Sequence, residues 1–145
     1  YGATEIMGFV DNYIFDGIYL LVGEDGSVAK DDGSPFTQYV WGKFWVNNHA
    51  HVLQGTSGFS TEFLHILLNL TNITPFVTGA VQMKLNQENM KSIPMVIPPS
   101  DLLKKFNAVI YGLYDQIRLN SEQIKALIQI RDSLLPRLMS GKLRV

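Results

Sequence analysis

Residues 100–138 read SDLLKKFNAVIYGLYDQIRLNSEQIKALIQIRDSLLPRL, and the period of this stretch decides the fold. Leu103, Phe106, Ile110, Leu113, Ile117, Asn120, Ile124, Leu127, Arg131, Leu134 and Leu138 follow one another by alternating steps of three and four, a heptad seam. Ser100 stands where an N-cap belongs, Asp101 suits the positive end of the helix dipole, and Pro136 predicts a stop or a kink. The pattern predicts a helix over residues 100–135, roughly 54 Å long at about 1.5 Å per residue.

With Leu103 at position a, Ile occupies a three times and Leu occupies d three times, the choice that favours two-stranded pairing. Asn120 at d and Arg131 at a are polar members that would fix register or orientation. A domain of about 100 residues has a radius of gyration near 13 Å, so it covers only about half of such a rod. The remainder calls for a second long helix, from another copy or from a further part of the same protein.

Upstream the period changes. Residues 1–99 hold ten of the twelve Gly and five of the six Pro, with short β-branched and aromatic runs between turn dipeptides, so this part reads as mainly strand. Tyr13-Ile14-Phe15 leads through Asp16-Gly17 into Ile18 to Val22, Asp25-Gly26 is a tight-turn pair, and residues 31–35 form a surface loop. Residues 42–46 and 50–53 are further strands. Ser60 to Leu70 is helical, with Phe63, Ile66, Leu67 and Leu70 on one stripe. Residues 79–99 predict a strand, a short helix capped by Asn86, and an extended exit through Pro98-Pro99. The fold class expected is therefore α+β: a strand-rich domain with a short helix over 1–99, then one long coiled-coil-forming helix and tail over 100–145.

The chain has 145 residues, 46% of them hydrophobic and 17% charged, enough for one ordinary domain with a core. Without cysteine it has neither a disulfide framework nor a thiolate metal site, which fits an intracellular, cytoplasmic address. No apolar run approaches the roughly 18 to 20 residues of a membrane span, so no membrane partner is expected. The start, Tyr1-Gly2-Ala3-Thr4-Glu5, is unlike a signal peptide and reads as a domain opened partway.

The densest polar chemistry lies in residues 42–55, GKFWVNNHAHVLQG. His49 and His51 share a strand face, but no third ligand is in view, and no metal is expected. No Gly-x-Ser-x-Gly elbow, Walker loop, dinucleotide fingerprint or HExxH is present, so no catalytic residue is assigned. The acids Asp11, Asp16, Glu24, Asp25, Asp31 and Asp32 sit at strand ends and turns, where Asp serves local hydrogen bonding. Polar recognition remains for Lys43, Asn47, Asn48, His49 and His51: Asn pairs with adenine N6 and N7, Lys suits guanine or phosphate, and His donates or accepts. The competing reading is that these side chains satisfy backbone groups at a strand crossing.

The succession YGATEIMGFVDNYIFDGIYLLVGEDG, GKFWVNNHAHVL, GAVQMKLNQENMKSIPMVIPP and a long helix ending IRDSLLPRLMSGKLRV resembles the specificity subunit of type I restriction-modification systems over nearly the whole chain. In that family two target recognition domains are separated by two long helices in an antiparallel coiled coil, each domain reading half of a split DNA site. The resemblance implies one recognition domain, lacking its first portion, with one spacer helix and no catalytic residues. It further implies double-stranded DNA and methyltransferase subunits as partners, and through them the restriction subunit, with S-adenosylmethionine, ATP and Mg on those partners rather than on this chain. The helix-pairing residues are then Leu103, Phe106, Ile110, Leu113, Ile117, Asn120, Ile124, Leu127, Arg131 and Leu134.

Charge narrows the DNA face. Residues 1–32 carry one Lys against seven acids, whereas residues 33–99 carry three Lys against two. Phosphate contacts supply much of the affinity of a DNA reader. Lys43, Lys84 and Lys91 are accordingly the phosphate candidates, and Asn47, Asn48, His49 and His51 the base-reading candidates. The alternative function is a coiled-coil protein-interaction scaffold without DNA binding, which salt-dependent duplex binding would separate from the first.

Overall fold

A computed structural model describes residues 1–79 and 81–142. Ala80, within the strand expected from residue 79, and residues 143–145 of the tail lie outside the described residues. Three strands, β1 (Phe15–Gly23), β2 (Thr37–Phe44) and β3 (Ala50–Leu53), form an antiparallel sheet in the order β2-β1-β3. The helices are α1 (Thr61–Asn69), α2 (Gln87–Lys91) and α3 (Ser100–Met139), with a 3₁₀ turn at Thr74–Phe76. The α+β class read from the sequence is the class observed.

Central strand β1 is buried on both faces because successive side chains alternate. Leu20 and Val22 point into one core with Val28, Leu68, Ile73, Leu85 and Ile93. Leu21 points into the other, with Val40, Phe44, Val46 and Ala50, where Phe15, Tyr19 and Tyr1 pack around the Phe44 ring. Leu20 and Leu21 are fully buried, and each contributes about 1.5–3 kcal/mol by leaving water.

Several expectations shift. Asp16-Gly17 is no turn but part of β1: Gly17 faces Gly42 across the sheet with φ of 141° and 79°, conformations in which a side chain would be strained. Asp25-Gly26 does turn the chain, with Gly26 at φ 77°, yet the return to β2 takes residues 24–36 rather than a two-residue hairpin. The 31–35 loop is only half at the surface. Asp32 accepts from the Ser34 N–H and hydroxyl, while Ser34 and Pro35 are buried.

The strand expected at 42–46 ends at Phe44, and the one expected after residue 79 is reduced to isolated bridges such as Thr78 with Lys84. In α1 the stripe is rotated: Leu64 and Leu68 face the core, and Leu70 is 81% exposed as the C-cap. Ser60 caps this helix, its Oγ accepting the Phe63 N–H at 3.0 Å. Asn86 caps α2 in the same way, at 2.8 Å to the Asn89 N–H, as its sequence position predicts.

Ser100 is the first residue of α3 rather than its cap, since the Leu103 N–H already bonds to the Pro99 carbonyl. Pro136 does not end the helix. It removes one N–H, which leaves the Asp132 carbonyl without its helical donor, and the helix continues to Met139 before Gly141 turns at φ 70°.

By packing the chain divides into two units, Tyr1–Asn107 and Ala108–Val145. The first two turns of α3 belong with the first. There Leu103 is buried, Phe106 meets the Phe63 ring edge-on at 5.6 Å, and Asn107 bonds to Ser60 and to the Gly58 carbonyl.

Candidate nucleic-acid interface

The polar stretch at 42–55 spans almost the full length of β1. Lys43 pairs with Asp16 at the start of β1, whereas His49 accepts the Glu24 N–H just past its end. Residues 45–49 thus run from one end of the central strand to the other, with Val46 anchored in the second core. Neighbours in sequence are therefore not neighbours in one site.

At the far end, the two acids after β1 gather three candidates. Asp25 Oδ1 lies 2.8 Å from His49 Nδ1. Glu24 lies 3.5 Å from Lys84 Nζ and 3.8 Å from His51 Nδ1. His51 is largely buried, and its Nε2–H donates to the Leu85 carbonyl at 2.6 Å. The sequence pattern predicts only local hydrogen bonding for Glu24 and Asp25, and they instead hold this cluster together. No local signal could have shown it, because the partners are 24 or more residues apart.

Asn47 is likewise engaged: its Oδ1 accepts the His49 N–H at 3.0 Å, its N–H donates to the Tyr1 carbonyl, and its Nδ2 touches Met7 Sδ. That Asx turn leaves Asn48 exposed at its tip. His49 is half exposed, with a side-chain accessibility of 49%. Lys43 is exposed and rests over the Tyr13 ring at 4.8 Å, and Lys91 is exposed in the last turn of α2. Lys84 keeps half of its surface open beside Glu24.

A second polar cluster lies where α1 covers β2. Glu62, buried, accepts from the Tyr39 hydroxyl at 2.6 Å, and His65 stacks on the Tyr39 ring at 5.7 Å. Burial, and then the charge of Lys30, hold the His65 imidazole below its ordinary value, against the pull of Glu62. Among the described residues no group of three or more His, Asp or Glu is placed to hold a metal ion.

Along Ala108–Val145 the seam is open. Leu113, Ile117, Ile124, Leu127, Leu134 and Leu138 are each 40–63% exposed, while Ile110 is buried. Asn120 accepts from Gln116 Nε2 and Arg131 pairs with Asp132, so the polar members have partners within the helix. No helix among the described residues is long and apolar enough to cross a membrane.

The profile described as "Type I restriction modification DNA specificity domain" matches residues 1–129. A Haemophilus influenzae protein named as a type I restriction enzyme specificity subunit is 38% identical over 99 residues, 68% of this chain and 25% of the relative. The MjaIX specificity subunit of Methanocaldococcus jannaschii is 34% identical over 131 residues, 88% of this chain and 29% of the relative. The HindI specificity subunit of Haemophilus influenzae is 28% identical over 89 residues, 58% of this chain and 19% of the relative. The chain thus spans less than a third of the length of these curated relatives.

Proposed function

The chain belongs to the type I restriction modification DNA specificity family, and from that membership we propose that it reads one half of a bipartite DNA site and presents the result to methyltransferase subunits. The observation that supports this most is the Asn47–His51 turn. Asn48 and His49 are held outward by Asn47 and Asp25, while His51 and Asn47 brace the turn from within. Asn48 and His49 are the base-reading side chains, and Lys43, Lys84 and Lys91 contact phosphates.

In this reading the chain is a non-catalytic recognition module. S-adenosylmethionine, ATP and Mg belong to the partner subunits, and the restriction subunit is engaged through them. The exposed stripe Leu113, Ile117, Asn120, Ile124, Leu127 and Leu134 pairs with a second long helix that sets the distance to the other half-site. Leu103 and Phe106 already pack on the chain's own domain.

Binding of a fluorescent mixed-sequence duplex across a salt series tests the proposal. Affinity is expected to fall steeply with salt, and Lys43→Gln with Lys91→Gln to reduce the log–log slope by about 2, roughly 0.9 per lost phosphate contact. Duplex affinity that is absent at low salt, or indifferent to salt, would support the protein-interaction scaffold instead.

A further inference from the structure

Asp25 carries a consequence for which bases this surface can take. An ionised carboxylate only accepts hydrogen bonds, so the Asp25–His49 contact, at 2.8 Å to Oδ1 and 3.0 Å to Oδ2, places the imidazole proton on Nδ1. In the neutral ring Nε2 is then a bare acceptor, and among the described residues it meets no partner, on a side chain that is half exposed. His51, two residues on, is arranged oppositely: its Nε2–H is committed inward to the Leu85 carbonyl. The loop is braced so that His49 cannot easily reorient. Its N–H is held by Asn47 Oδ1 at 3.0 Å and its carbonyl by the Glu24 N–H at 2.9 Å.

We propose that Asp25 is a specificity-determining positioning residue, which holds the neutral His49 ring as a hydrogen-bond acceptor and so selects, on the strand that it faces, a base with an exocyclic amine in the major groove, adenine N6 or cytosine N4. Guanine O6 and N7 and thymine O4 are acceptors and would face the Nε2 lone pair without a proton between them. The inference rests on the reading of the Asn47–His51 turn as a DNA contact.

The test has two parts on the whole chain. First, long-range proton–nitrogen NMR of the His49 ring at pH 8.5 should show the proton on Nδ1 in the wild type. In Asp25→Asn the amide can donate to Nδ1 and move the proton to Nε2. Second, selection from a randomised duplex library at the same pH should yield a motif in which one position prefers adenine or cytosine. In His49→Ala that preference should relax by about fivefold, the size of one hydrogen bond, with the rest of the motif unchanged. In Asp25→Asn it should shift toward guanine or thymine. Asp25→Ala, which frees the ring, should relax the position without inverting it, and circular dichroism checks that each variant is folded.

A wild-type ring protonated on Nε2 overturns the proposal, as does a motif identical in the wild type and both Asp25 variants. In the latter case DNA recognition itself stands. A wild type that enriches nothing from the library overturns both.

Discussion

His49 and His51 have the same side chain, two residues apart, and opposite employment. His51 closes a buried bond to Leu85, so His51→Ala is expected to cost about 1–3 kcal/mol in urea unfolding. Asn48→Ala should leave stability within about 0.5 kcal/mol yet weaken duplex binding. A variant pair behaving the other way round would reverse the roles assigned here. His65 supplies a pH prediction. Its folded value lies below 6.5, because burial and Lys30 disfavour the imidazolium. The unfolded chain therefore takes up the proton first, and the stability this neutral histidine contributes above pH 6.5 is lost as pH falls from there through the lower folded value. The urea midpoint should drop between pH 7 and 5, and His65→Gln should flatten that drop. An unchanged slope in the variant would place the titration elsewhere.

Among the elements, those with a local cause were legible in the sequence. The period of α3, the Asn86 cap of α2 and the 50–53 strand each depend on residues within a few positions of one another. The rotated stripe of α1 was not legible, since Leu64 and Leu68 rather than Phe63 and Leu67 face the core only because β1 lies where it does. Pro136 does not stop α3, as one missing N–H near the end of a long helix is a small loss beside the bonds that remain. Ile117→Asp with Ile124→Asp places two charges in the exposed stripe and should abolish helix pairing, seen as a fall in mass by light scattering. Tyr1–Asn107 should stay folded by near-ultraviolet circular dichroism. Unchanged mass in that variant would contradict the seam.

Across the whole molecule, the candidate surface was legible as a set of residue types and not as a place. Residues 42–55 suggested one patch. The topology instead sends them along β1, leaving Lys43 at one end and His49 at the other, with two carboxylates from the turn after β1 tying His49, His51 and Lys84 together. Such partners arise from strand pairing, which no window of sequence contains. We propose that the Asn47–His51 turn and its neighbouring lysine meet DNA. That contact is tested most directly by mapping backbone amide shifts while a short mixed-sequence duplex is added at low salt. Perturbations concentrated at Asn48, His49 and Lys84 are the result predicted, and perturbations that bypass this turn and fall on α3, or none at all, would contradict it.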